Sequence, residues 1–189
     1  RDTMLQSIRF AAQQFLSAED WGAVLPDVLD SLGRAAKASR VYVLENREAP
    51  SGGLAMRQTF QWAADDAPLV GDGTCSKEAF YADLGLERWV SILDSGLPLL
   101  GARQDFPEPE WELLARRGVR SLALVPIHVG NRWWGVIGVD ECRQERAWSE
   151  AEVTSLRAAA HTLGAAIERD SARKALVLAK DAAEAASEA

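Results

Sequence analysis

The densest apolar pattern lies between Val119 and Cys142. Val119 to Val129 is rich in Leu, Val and Ile, Gly130-Asn131 follows, and Trp133 to Cys142 is apolar again. Two runs that are apolar on both faces, joined by a dipeptide that tolerates positive φ, predict a hairpin of central strands covered from both sides. Pro126 lacks a ladder donor, so it marks an edge, a bulge or a strand end. Gly135 and Gly138 inside the second run leave room for a close neighbour, backbone or ligand, with close packing of a neighbouring helix preferred.

The remaining pattern surrounds this hairpin. Met4, Ile8, Ala11 and Phe15, with Leu5, Ala12 and Leu16 beside them, recur at helical spacing. Ser17 to Asp20 opens a second helix through Val24, Leu25, Val28, Leu29, Leu32 and Ala36. Ser39–Glu45 and Leu54–Ala63 predict an early hairpin around the turn EAPSGG. Residues 64–74 are loop by composition, and short helices are expected at Ser76–Leu84 and Leu86–Ser95. A third strand at Leu99–Gln104 leads to a helix opened by Pro107 and acidic residues and stopped by Gly118. Ser149 and Glu152 form a capping box at the start of a long final helix. Val153, Leu156, Ala160, Leu163 and Ile167 make its apolar stripe. Beyond Glu168 the stripe continues as Ser171, Ala175, Leu178, Ala182, Ala185 and Ala189, a heptad seam of small residues.

The segments RSLALVPIHVGNRWWGVIGVDE and RAWSEAEVTSLRAAAHTLGAAIER resemble the C-terminal half of a GAF domain from a bacterial sensor protein. The likeness extends upstream through ASRVYVLEN, RQTFQWA, ERWVSILDSGLPLLG and DFPEPEWELLARRGVRS, covering roughly residues 20–170. It implies an α+β fold of GAF/PAS type: a central antiparallel sheet of five or six strands, helices on both faces and a long C-terminal helix. The organisation expected is an N-terminal helix over 1–18, the GAF-like domain over 19–169, and a helical coiled-coil linker over 170–189 leading to an output domain. The resemblance also implies a homodimer through the N- and C-terminal helices, with Leu163, Ile167, Ala175 and Leu178 on the signalling helix. The parent protein expected is a sensor histidine kinase. A cyclic-di-GMP enzyme, a ligand-free dimerisation spacer and a cysteine-based redox enzyme are the alternatives.

Composition narrows the chemistry. With 48% hydrophobic residues among 189, the chain suits one domain with a well-buried core. A net charge of −7 argues against nucleic acid, which requires a basic face. No apolar run approaches the ~18–20 residues of a membrane span, and no leader is visible, so a cytoplasmic setting is expected. Cys75 and Cys142 lie far apart and, with His128 and His161, form no metal-ligand spacing. A disulfide between the two cysteines stays open, a reducing setting being preferred. His128, beside the turn, is expected in solvent. No G-x-S-x-G, Walker A or G-x-G-x-x-G motif occurs. The resemblance brings no bilin-attachment cysteine in residues 99–120 and no cyclic-nucleotide signature, so no cofactor is expected. It leaves a small-molecule pocket on the sheet, with Trp89, Arg88, Arg103 and Phe106 on the covering segment and Tyr42 and Trp62 on the first two strands. Arg103 is the expected anchor for a carboxylate or phosphate. Trp111, Trp134 and Trp148 are expected in the core or a cap.

Overall fold

A computed structural model describes residues 2–68 and 78–188. Its elements are α1 (Asp2–Ser17), α2 (Trp21–Ala36), β1 (Arg40–Glu48), β2 (Leu54–Ala63), β3 (Ala79–Phe80), α3 (Glu87–Asp94), β4 (Leu99–Ala102), α4 (Glu108–Arg116), β5 (Ser121–Val129), β6 (Arg132–Glu141) and α5 (Glu150–Ser187). A 3-10 turn, Arg103–Asp105, joins β4 to α4. The six strands form one antiparallel sheet in the order β3-β2-β1-β6-β5-β4, so the predicted hairpin β5–β6 does lie centrally.

Local chemistry sets the element ends. The Asp20 side chain accepts from the Gly22 amide and caps α2. Ser149 and Glu152 cap each other reciprocally at the start of α5. Gly130 takes a φ of +59°, which lets β5 turn directly into β6. Pro126 sits two residues beyond the last β4–β5 pair, Leu99 with Leu124, and one before a register shift at Ile127/His128. The missing donor therefore falls at an open edge beside a bulge.

Each face of the sheet carries its own core. Val41, Val43, Ala123, Val125, Ile127, Ile137 and Val139 pack against α1, α2 and α5. Tyr42, Leu122, Leu124, Trp133 and Val136 point the other way, toward Tyr81, Trp89, Leu93, Phe106, Trp111 and Leu114 around α3 and α4. Trp111, Trp134 and Trp148 are all buried.

Three expectations are corrected. A Cβ on Gly135 would collide with the Leu44 carbonyl and one on Gly138 with the Tyr42 ring, so the close neighbours are β1 and its side chain, not a helix. The described part of Ser76–Leu84 is the short strand β3 followed by a turn, closed by Leu86 N–H donating to the Tyr81 carbonyl at 2.9 Å. The third strand stops at Ala102, two residues before Gln104, and the chain turns into the 3-10 segment there. The predicted loop over 64–74 and Cys75 fall partly or wholly on residues 69–77, outside the described residues.

The close helix–strand approach occurs instead at Gly164 of α5, where a Cβ would meet the His128 carbonyl of β5. Gly164→Ala gains about 1 kcal/mol of helix propensity yet forces α5 away from β5. Urea unfolding should show a net loss of about 1–3 kcal/mol; a variant more stable than the native chain would mean that α5 yields without cost.

Candidate functional site

The face carrying α3 and α4 is where the pocket was expected. Tyr42 is buried over Gly138, and its hydroxyl donates to Asp140 Oδ1 at 2.9 Å. Glu110, on α4, gathers the α3 residues. Arg88 Nε and Nη2 donate to its two oxygens at 2.8 and 2.5 Å, and Trp89 Nε1 donates to Oε2 at 2.8 Å. Phe106 lies between Trp89 and Trp111, with ring centroids 6.3 and 6.4 Å away, and the Arg88 guanidinium sits 5.9 Å from its ring. Burial pushes the Glu110 carboxyl upward, but the hydrogen bonds from Arg88 and Trp89 outweigh that and hold it below the usual carboxylate range.

Tyr42, Arg88, Trp89 and Phe106 are thus brought together on one face, each with a partner inside the domain. The other two candidates are not. Trp62 pairs with Val41 in the β1–β2 ladder and faces the opposite side, where its ring covers Gly33 of α2. A strand side chain at odd offset from Tyr42 cannot share its face, which corrects Trp62 as a wall of the same pocket. Arg103 is 61% exposed, and its Nη2 reaches Glu108 Oε1 at 3.4 Å. It lies on the surface of the 3-10 turn rather than in an enclosed anchor position.

Sequence reasoning missed a second polar centre on this face. Arg40 and Asp140 are 2% and 1% exposed. Arg40 donates from Nε to Asp140 Oδ2 at 3.1 Å and from Nη2 to the Arg117 carbonyl at 2.9 Å. Its buried Nη1 has no protein partner among the described residues. Burial raises the Asp140 carboxyl above its ordinary range, against the pull of Arg40, Arg117 and the Tyr42 hydroxyl. The hint available in the sequence was a charged residue at the rim of each of two apolar strands. Next to it, Ser39 Oγ donates to Glu141 Oε1 at 3.1 Å and accepts from the Cys142 amide at 2.9 Å. Burial pushes the Cys142 thiol upward, away from the thiolate a nucleophile needs. His128 is not simply in solvent: it is half-buried, with Nε2 3.2 Å from the Asp94 carbonyl. The described residues contain no group of three or more His, Cys, Asp or Glu that could hold a metal ion.

The four residues expected on a signalling helix divide into two sets. Leu163 and Ile167 are buried in the core against the sheet, α1 and α2, which removes them from a dimer seam. Ala175 and Leu178 lie on the part of α5 where every described residue from Ser171 onward is exposed; Leu178 is 70% exposed and Leu176 71%. Leu5 and Leu16 of α1 are also exposed, at 54% and 71%. No described helix is long and apolar enough to cross a membrane.

Comparison with known proteins places this geometry. The sequence model of the GAF domain matches residues 20–167. The "Methanogenesis regulatory histidine kinase FilI" of Methanothrix harundinacea is 34% identical over 181 residues, covering 95% of this chain and 20% of that protein. An uncharacterized protein of Azorhizobium caulinodans is 25% identical over 156 residues, covering 81% of this chain and 21% of that protein. The chain therefore spans about a fifth of the length of the curated relatives it matches. Among solved structures, the phycoerythrobilin-bound GAF domain from a cyanobacterial phytochrome superposes with a TM-score of 0.76 at 12% identity, over 91% of this chain and 98% of that one.

Proposed function

Since this chain belongs to the GAF domain family, we propose that it is the sensory or regulatory module of a multi-domain signalling protein of the sensor histidine kinase type, acting as a homodimer through its terminal helices. The observation that carries this reading is α5. Its 38 residues begin in the domain core and end in a stretch exposed on every side. Most helical stability in proteins comes from packing of an apolar face, and no described residue of this stretch is buried within the protomer. The seam from Ser171 through Ala175, Leu178, Ala182 and Ala185 supplies a face for a partner. The 34% identity to a regulatory histidine kinase supports the kind of parent.

Tyr42, Arg88, Trp89 and Phe106 already hold partners within the protomer. This favours a relay that works through helix packing over one that reads a large bound ligand. The bilins named in the solved structures belong to those proteins. A plain dimerising spacer is the second reading, favoured by the same filled face.

Sedimentation equilibrium tests the proposal. The 1–189 chain is expected to be a dimer at micromolar concentration, and a chain ending at Arg169 to dissociate toward monomer. In the whole parent protein, incubation with labelled ATP should yield an acid-labile phosphohistidine that the same deletion of 170–189 alters. A monomeric 1–189 chain removes the basis for the relay; a parent that never labels on histidine removes the kinase.

A further inference from the structure

α1 ends at Ser17 with no basic residue in its last turn, so its final carbonyls lack a cation of their own. One arginine of α5 supplies it from outside, and a second reaches the linker that follows α1. Arg169 Nη2 donates to the Phe15 carbonyl at 2.5 Å, and Arg173 Nη2 donates to the Glu19 carbonyl at 3.0 Å. The two donors are one helical turn apart on α5, and the two acceptors are four residues apart on the other side. Residue numbers rise together across the contact, so the end of α1 and the linker from Phe15 to Glu19 run in the same direction as α5 here. Asp170 fixes the inner part of this ladder: it accepts from Arg173 at 2.9 Å and lies 2.8 Å from Lys174 Nζ.

The position of the contact matters more than its strength. Ala166 and Ile167 are the last α5 residues buried in the core, and from Ser171 onward α5 is exposed. Arg169 and Arg173 bracket the point where the helix leaves the body. We infer that Arg169 ties the C-terminal end of α1, and Arg173 the linker that follows it, to α5 at this exit, so that a displacement of α1 passes into the α5 tail directly and does not cross the sheet. α1 is then an input element, and the domain can relay a movement arriving at its N-terminal helix while the α3–α4 face stays as it is. The tie stands on its own geometry; only its output, a change in the tail, rests on the dimer proposed above.

Hydrogen exchange read by mass spectrometry tests it, using the full 1–189 chain with Arg169→Gln/Arg173→Gln and, as the conservative pair, Arg169→Lys/Arg173→Lys. Peptides over 12–18 should exchange on the order of tenfold faster in the Gln pair, with partial recovery in the Lys pair, while peptides over 156–164 are unchanged. The coupling itself is read by adding Ala12→Gly, which loosens α1. In the native background this substitution should also speed exchange over 170–187, and in the Gln background it should leave that segment unaffected. Unchanged exchange over 12–18 in the Gln pair, or the same tail response in both backgrounds, overturns the tie. If the native tail exchanges without protection, the dimer proposal fails instead, and the tie is decided by peptides 12–18 alone.

Discussion

Arg40→Met lowers the unfolding free energy by about 3–5 kcal/mol at neutral pH, because it leaves Asp140 as an uncompensated charge in the interior. Asp140 is 1% exposed and cannot turn to water. Its remaining partners would be the Tyr42 hydroxyl at 2.9 Å and the more distant charge of Arg117. Burial already holds the Asp140 carboxyl above its ordinary range, with Arg40 the strongest influence pulling it down. Without Arg40 it rises further, and the variant is expected to fold with Asp140 protonated where it can. A carboxyl with a raised folded pKa contributes stability at low pH that is lost as pH rises through that pKa. The gap between native chain and variant is therefore small in acid and widens toward neutrality, above the ordinary carboxylate range. Urea unfolding followed by tryptophan fluorescence at several pH values measures it. Adding Asp140→Asn should recover much of the loss, since the amide oxygen still accepts from Tyr42 and no charge stays buried. A gap that does not change with pH would mean that water reaches Asp140.

The sequence reveals this fold wherever local chemistry decides structure. Ser149 and Glu152 announce α5, Gly130-Asn131 announces the β5–β6 turn, and the two apolar runs beside that turn announce central strands. It misleads where a residue's meaning depends on what lies across a sheet. Gly135 and Gly138 signal a close neighbour in either reading, and only the β1–β6 register identifies it as Leu44 and Tyr42. Trp62 is an aromatic on an early strand, but its pairing with Val41 puts it behind the sheet. The helix expected up to Leu84 survives only as a turn in which Leu84 N–H donates to the Phe80 carbonyl, while Ala79 and Phe80 pair with Met56 and Ala55 at the sheet edge. The partners inside the candidate site are separated by 22 residues for Arg88 and Glu110 and by 100 for Arg40 and Asp140. No local pattern carries such pairs. The division of α5 was half legible: the apolar stripe weakens after Glu168, but Leu163 and Ile167 look the same whether they pack on their own sheet or on a partner.

Glu110→Ala is expected to cost about 2–4 kcal/mol, most of it at Trp89 rather than Arg88. Arg88 is 40% exposed in its side chain and can rehydrate, so losing its ion pair costs little. Trp89 is buried, and its Nε1 has Glu110 as the partner on which it depends. An orphaned buried donor costs about 1–3 kcal/mol, and the missing methylenes of Glu110 against Trp89 add to that. Glu110→Gln separates the two contributions: the amide oxygen still accepts from Trp89, while the charge and the acceptor facing Arg88 Nε are lost, so about half of the destabilisation is expected. The pH dependence differs from that of Asp140. The folded pKa of Glu110 is depressed, so its contribution is present above the unfolded value of about 4.3 and lost as pH falls through the lower folded value. The gap between the native chain and Glu110→Gln should thus hold steady from neutrality down to the ordinary carboxylate range and close below it. For Arg40→Met the closure comes above that range. Two buried carboxylates on one face of one sheet then titrate on opposite sides of the ordinary value. The difference follows from their donors: Glu110 receives three hydrogen bonds from a half-exposed arginine and a tryptophan, whereas at Asp140 burial outweighs its partners. Equal closure points for both variants would show that the two sites share one environment, and the α3–α4 face would then have to be open enough for a ligand.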